Sequence, residues 1–278
     1  MPCEQRFGNP NLPEFDVTKE PQVFFSDAPS PFDLNFRLFG IPVRVQPWFW
    51  LIMAIFGSNI FQAGGFEFLL IWIACGFVSI LVHELGHALA FRIFGSSSAI
   101  TLHGFGGYAQ TNNPPREAWQ RLIVSAAGPL AGFALVGLVF GSALLIAWPG
   151  RNSYLGATFS FLLMMGIFWN LLNLLPIWPL DGGKIIRELF SLMRLRNPDI
   201  LTHKISIVTA GVLCAYGIAT ALHIPVPVID DILFIYRPSL MMTIWFGLFA
   251  YQNWQMLQMY QQQRSFYDRD DDSPPWRR

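Results

Sequence analysis

The sequence predicts an all-α fold: a polytopic membrane helix bundle of about six transmembrane helices, with a short β-hairpin-like cytoplasmic loop. Three observations carry this reading. Of 278 residues, 53% are hydrophobic and 13% charged, with a mean hydropathy of +0.40; soluble domains carry roughly 25% charged residues. Six stretches approach the about 20 apolar residues that a spanning helix needs. The basic residues also fall almost wholly on one side of those stretches.

Residues 1–35 are polar and proline-rich, and no basic segment leads into an apolar run. They are expected to form a flexible cytoplasmic arm without a cleavable signal peptide. The spans are expected at 47–66, 68–95, 121–148, 154–176, 205–224 and 238–260, the first interrupted near its end by Gly57, Gly64 and Gly65. Between the fourth and fifth, Asp181–Pro198 is more polar and reads as an interfacial helix and turn. Residues 36–260 form the membrane domain, and 261–278 form a mixed-charge cytoplasmic tail with no core of its own.

With the amino terminus in the cytoplasm, sixteen of the eighteen Lys and Arg residues are internal, and only Arg151 and Arg237 lie outside. That bias fits six spans with both termini cytoplasmic, and the expected location is the cell (inner) membrane. Zero formal net charge gives no reason to expect a nucleic-acid partner. Cys3, Cys75 and Cys214 are scattered, which indicates neither a disulfide framework nor a thiolate metal site. In this topology the second and fourth spans both run from outside to inside. Their carboxy-terminal ends therefore meet at one depth.

That depth carries the chemistry. His83-Glu84-Leu85-Gly86-His87 lies late in the second span, inside a stretch from Phe68 to Phe91 with no other charge. An ionisable group in hydrocarbon costs at least about 2.5–3.5 kcal/mol on insertion scales, so this cluster calls for a compensating cation. Positions four apart share a helix face, and His83 and His87 can both direct a ring nitrogen at one zinc ion. Glu84 is rotated by about 100° from His83, off the ligand axis but within reach of a water at the metal. Two core histidines with a surface glutamate is the bland alternative. It fits poorly, because the central parts of the spans hold no other His, Asp, Glu, Lys or Arg.

A site of this kind needs a third ligand, and Asp181 follows directly after the fourth span. The run Asn170-Leu-Leu-Asn173-Leu-Leu-Pro176-Ile-Trp-Pro179-Leu-Asp181-Gly182-Gly183 ends a helix at its prolines and allows a tight turn at its glycines. Asp181 can point back into the bundle as a ligand or cap the next helix. Asn170 and Asn173 share a face, as interhelical glue or as donors to a substrate carbonyl and developing oxyanion. Ser96–Trp119, with Ile100, Leu102 and Phe105 among Gly104, Gly106 and Gly107, reads either as a short hairpin near the metal or as a plain connector. An open strand edge there could pair with an unwound substrate. His103 in this segment reads as structural. Gly128-Pro129-Leu-Ala-Gly132 and Gly137-x-x-x-Gly141 give the third span a small-residue packing face. The aspartates of Val226–Tyr236 read as solvated.

These motifs resemble the site-2 protease family of intramembrane zinc metalloproteases. The matching residues are His83-Glu-Leu-Gly-His87-Ala-Leu-Ala, Gly106-Gly107, Ala127-Gly128-Pro129 and Asn173-Leu-Leu-Pro-Ile-Trp-Pro-Leu-Asp181-Gly-Gly, spread from about Phe39 to Arg196. The resemblance implies one Zn2+ per chain held by His83, His87 and Asp181, Glu84 as catalytic base and acid, and Asn173 at the substrate or transition state. It also implies a transmembrane protein substrate, cut in or near the bilayer as in regulated intramembrane proteolysis. Two departures stand out. Gly132 replaces an Asn found in many relatives, and no peptide-binding domain interrupts the spans. Two other functions compete: a catalytically silent partner-binding homologue, which has no use for Glu84, and a transporter, which needs an ion pathway the apolar spans do not offer.

Overall fold

The computed structural model describes residues 30–104, 106–145, 153–224 and 240–271. Leu34, Phe36 and Leu38, then Ile41, Val43 and Val45, recur with the two-residue period of a strand. They form β1 (Leu34–Leu38) and β2 (Ile41–Val45), an antiparallel hairpin pairing Leu34 with Val45 and Leu38 with Ile41. Its two-residue turn needs positive φ at both positions, supplied by Phe39 at 50° and Gly40 at 75°.

Two short helices follow, α1 (Pro47–Phe56) and α2 (Ser58–Gly64), and then the 28-residue α3 (Phe66–Ile93). The strands β3 (Ala99–His103) and β4 (Gly106–Gln110) complete an antiparallel hairpin. Because β3 also pairs with β2 in parallel, a four-stranded sheet forms in the order β1-β2-β3-β4. Pro42 lacks an amide donor but causes no gap in the β2–β3 ladder, which begins at Val43.

The expectation of an all-α fold with one hairpin is therefore corrected. The chain is mostly helical, with a small sheet half of which precedes the first long helix. Ile41, Val43 and Val45 are buried with Ile100 and Leu102 against Phe49, Met53, Ile80, Leu81 and Ala88. Relative to exposure to water, burial of each of the larger side chains contributes roughly 1.5–3 kcal/mol. This core clamps the sheet onto α1 and α3.

The remaining helices are α4 (Ala118–Leu145), α5 (Tyr154–Asn173), α6 (Asp181–Leu192), α7 (Pro198–Ala221) and α8 (Leu240–Asp271). Among the described residues, α3, α4, α5 and α7 are long and apolar enough to cross a membrane. They fall at the second to fifth expected spans. At 28 residues, α3 reaches about 42 Å, beyond the about 30 Å of a hydrocarbon core.

The first expected span is instead divided at Gly57. A Cβ there would lie 2.5 Å from Leu69 Cδ1 and 2.6 Å from Trp72 Cδ1, so the break lets α1 lie against α3. Trp72 Nε1 donates to the Met53 carbonyl at 3.1 Å across the same contact. The sixth expected span lies in α8, whose apolar first turns give way to a polar run from Gln252. The helix continues to Asp271, so part of the expected tail is ordered helix. Residues 1–29, Phe105 and the Val226–Tyr236 loop lie outside the described residues.

One charged network ties the helix ends together. Glu188 of α6, 3% exposed, accepts from Arg121 of α4 at 2.8 Å and from Arg187 at 2.7 Å. Arg187 in turn reaches Asp199 of α7 at 2.6 Å. Burial would lower the pKa of Arg187, but Asp199 and Glu188 outweigh it and raise it. Removing the shared carboxylate leaves two guanidinium groups short of an acceptor. Glu188→Ala is therefore expected to destabilise the bundle by about 1–3 kcal/mol, read as a lower melting temperature in detergent.

Candidate metal centre

His83 and His87, one turn apart on α3, meet Asp181 at the start of α6. His83 Nε2 lies 2.9 Å from Asp181 Oδ2 and 3.2 Å from His87 Nε2, and His87 Nε2 lies 3.1 Å from the same carboxylate oxygen. All three side chains are buried. Asp181 is not the helix cap: Leu180 occupies that position, and no side chain caps the helix.

The other ring nitrogens are already committed. His87 Nδ1 lies 2.7 Å from the Val124 carbonyl, which can only accept, so this nitrogen carries a proton. His83 Nδ1 lies 2.8 Å from Asn170 Oδ1. Asn170 Nδ2 donates to the Gly166 carbonyl, which turns Oδ1 toward His83 as the acceptor. Both rings therefore direct Nε2 at a carboxylate.

Burial works against an ionised Asp181. The positive charge at His87, hydrogen bonds from both rings and Lys184 outweigh it and hold the carboxyl well below its ordinary range. The two Nε2 atoms and Asp181 Oδ2 lie within 3.2 Å of one another, so a single cation could be shared by both rings and the carboxylate. The ligand atoms nearly match the about 3.3 Å edge of a tetrahedron with bonds of about 2.0–2.1 Å. Two neutral imidazoles and one carboxylate suit zinc, so the residues present fit the ion.

Glycines make this convergence possible. A Cβ on Gly128 of α4 would lie 2.1 Å from His87 Nε2, and one on Gly132 would lie 2.1 Å from Asn170 Nδ2. The small-residue face of α4 is thus the wall that admits the His87 ring and the Asn170 amide. On α6, a Cβ on Gly182 would lie 2.2 Å from the Leu174 carbonyl oxygen, and one on Gly183 2.6 Å from the Ile177 carbonyl carbon. The expected need for these two glycines was a tight turn. The structure places them in the first turn of α6, pressed onto the preceding loop.

Glu84 is buried beside His83 and interacts electrostatically with His83, His87, Asp181 and Lys184. The sheet reaches it directly, since a Cβ on Gly107 of β4 would lie 2.6 Å from Glu84 Cγ. His103 lies against the Tyr108 ring and is not part of the metal cluster. Asn173 differs from Asn170: its Nδ2 donates to the Trp169 carbonyl at 2.9 Å. The shared face of the two asparagines was visible in the sequence, but which of them faces His83 depends on the α5–α3 packing.

A buried His-x3-His and Asp constellation that could hold a metal ion thus lies among helices long and apolar enough to cross a membrane. The profile of Peptidase family M50 matches residues 71–151 and 149–217, and the chain belongs to this family. The likeness to site-2 proteases read from its motifs therefore holds. A zinc metalloprotease of Methanocaldococcus jannaschii is 34% identical over 160 residues, covering 56% of this chain and 44% of that protein. The Stage IV sporulation protein FB of Bacillus subtilis is 30% identical over 203 residues, covering 70% and 63%. The chain thus spans about half the length of the curated relatives it matches. A solved structure, the site-2 protease from Methanocaldococcus jannaschii, shares the fold with a TM-score of 0.51 at 20% identity, covering 81% of this chain and 95% of that one.

The contact between Asn170 and Gly132 can be tested as a pair. Asn170→Ala is expected to weaken zinc affinity about 10- to 100-fold, as loss of a metal-histidine partner generally does. Gly132→Ala, by pushing the amide aside, should have a similar effect. Combined, the two should cost little more than Asn170→Ala alone, as measured by competition with a chromophoric chelator.

Proposed function

We propose that the chain is an intramembrane zinc metalloprotease that hydrolyses a peptide bond in or near the transmembrane helix of a membrane-protein substrate. The observation that carries this reading is the convergence of His83, His87 and Asp181 beside Glu84 within a bundle of apolar helices. These three residues would hold one zinc ion, which when bound supplies a Lewis acid and an acidified water. Glu84 takes the proton of the attacking water and returns it to the departing amide nitrogen. Asn173 is assigned to the substrate or transition state.

A helical substrate shields its peptide bonds within its own hydrogen bonds, so it must be unwound before hydrolysis. The order of the sheet leaves β4 at its edge, and β4 packs on Glu84 through Gly107. An extended segment added along that edge would lie next to the general base, held by main-chain hydrogen bonds that demand no one sequence.

The membrane arrangement supported by the basic-residue bias has six passes and both termini in the cytoplasm, in the cell (inner) membrane. The α1–α2 pair and the apolar part of α8 serve as the first and sixth. Residues 36–260 form the protease domain, flanked by the amino-terminal arm and the carboxy-terminal tail. A silent homologue that only recruits partners would leave the buried Glu84 without a task.

Glu84→Gln keeps the shape and removes the proton carrier. It is expected to bind zinc one-to-one while cleavage of a single-span substrate in lipid falls about 100- to 10,000-fold; equal cleavage by both forms sinks the base assignment. Asp181→Ala is expected to lose stoichiometric zinc on dialysis, measured by elemental analysis. Retained zinc of unchanged affinity would remove Asp181 from the ligand set.

A further inference from the structure

Asp181 opens α6, which packs on α4 through the Arg121–Glu188 pair, while the loop that leads into it is held from another side. Between α5 and α6 the chain passes through Ile177 and Trp178, and both residues are gripped by the last two helices. Ile177 is fully buried in a cluster with Ala210 of α7 and Phe246 of α8. The Trp178 amide donates to Ser206 Oγ of α7 at 2.9 Å. The Trp178 carbonyl accepts from Asn253 Nδ2 of α8 at 2.7 Å. One peptide segment thus has its donor and its acceptor held by side chains from two different helices.

The clamp is itself fixed. Asn253 Nδ2 also donates to the Phe249 carbonyl at 2.8 Å, which leaves Oδ1 as the acceptor facing His203 Nδ1 at 2.8 Å. The His203 ring lies edge-on to Trp178, with centroids 6.0 Å apart, and stacks on Tyr260 at 5.4 Å. Ser206 Oγ donates in turn to the Thr202 carbonyl at 2.8 Å. Ser206, Asn253 and His203 are all buried, and each polar atom in this chain of bonds has a partner. Such satisfied buried networks hold one geometry rather than several.

A short, stiff path leads from the clamp to the metal ligand. The Leu180 amide donates to the Ile177 carbonyl at 2.8 Å, closing a turn across Trp178 and Pro179. Gly182 and Gly183 press α6 onto the backbone of Leu174, Leu175 and Ile177. A shift of Trp178 therefore moves the start of α6, and Asp181 with it. Metal coordination tolerates about 0.2 Å. Asn253 also lies beyond the residues that match the family profile, which end at 217.

We propose that Ser206 and Asn253, with His203 orienting the Asn253 amide, are positioning residues that set Asp181 for metal binding through the Trp178 backbone. The carboxy-terminal helix pair thereby acts as a mechanical part of the metal centre. This rests on the metal reading above, and the test separates the two. The full chain in detergent is loaded with Co2+, whose visible spectrum reports ligand geometry, and its release to a chelator is timed. Asn253→Leu is expected to change the spectrum and speed release about 10- to 100-fold, and Ser206→Ala to do the same more mildly. Gly217→Ala serves as the control, because its Cβ would lie 2.0 Å from Thr243 Oγ1 and loosen the same helix pair away from the clamp. It should lower the melting temperature while leaving spectrum and release unchanged. If Gly217→Ala speeds release as much as the clamp variants at equal loss of stability, or if the Ser206 and Asn253 variants release Co2+ at the wild-type rate, the clamp is overturned. A wild-type chain that binds no Co2+ overturns the metal reading itself.

Discussion

Three electron pairs aimed at one point, in a place that water does not solvate, govern this molecule. His83 Nε2, His87 Nε2 and Asp181 Oδ2 lie 2.9–3.2 Å apart, and the hydrogen bonds behind the rings forbid either imidazole from turning away. The structure is arranged so that a cation is the least costly solution. Asn170 and the Val124 carbonyl fix the tautomers, glycines remove the side chains that would fill the space, and a loop between prolines brings in the carboxylate.

Much of this arrangement was legible in the sequence, for particular reasons. The histidine pair stood out because His, Asp, Glu, Lys and Arg are otherwise missing from the central parts of the spans. Asp181 could be tied to it because two spans running the same way place their ends at one depth, and the structure brings those ends together. The glycines of Ser96–Trp119 suggested a hairpin but left a plain connector equally open, and the structure decides for the hairpin at residues 99–110. The β1–β2 hairpin carried an equally clear alternation, yet Phe39 at its turn is an unusual residue for positive φ, and the parallel pairing of β2 with β3 is a contact between distant segments. The break at Gly57 was marked by composition, but its cause, the Leu69 and Trp72 side chains, belongs to another helix. Asn170 and Asn253 look like ordinary helix-interface amides in sequence. Only the packing shows that one meets His83 and that the other holds the Trp178 backbone.

The sheet and the metal centre are also one construction. Its buried face packs on α3 through Ile100 and Leu102, while the backbone of Gly107 rests on Glu84. The residue proposed to move protons and the strand proposed to receive substrate are therefore held in register by direct contact, with no flexible connection between them. A small sheet embedded among helices in this way provides an open row of backbone groups next to apolar walls.

The long reach of the carboxy-terminal clamp bears on how the protein is made. During synthesis the two histidines leave the ribosome early. The aspartate follows His87 by 94 residues, and the asparagine that grips its loop comes 75 residues after Trp178. A nascent chain thus carries two ligands through most of its insertion without the third, and then carries the third without its brace. On the proposed reading, tight metal retention would mark a chain whose α8 has docked, and the ion would double as a record of that assembly.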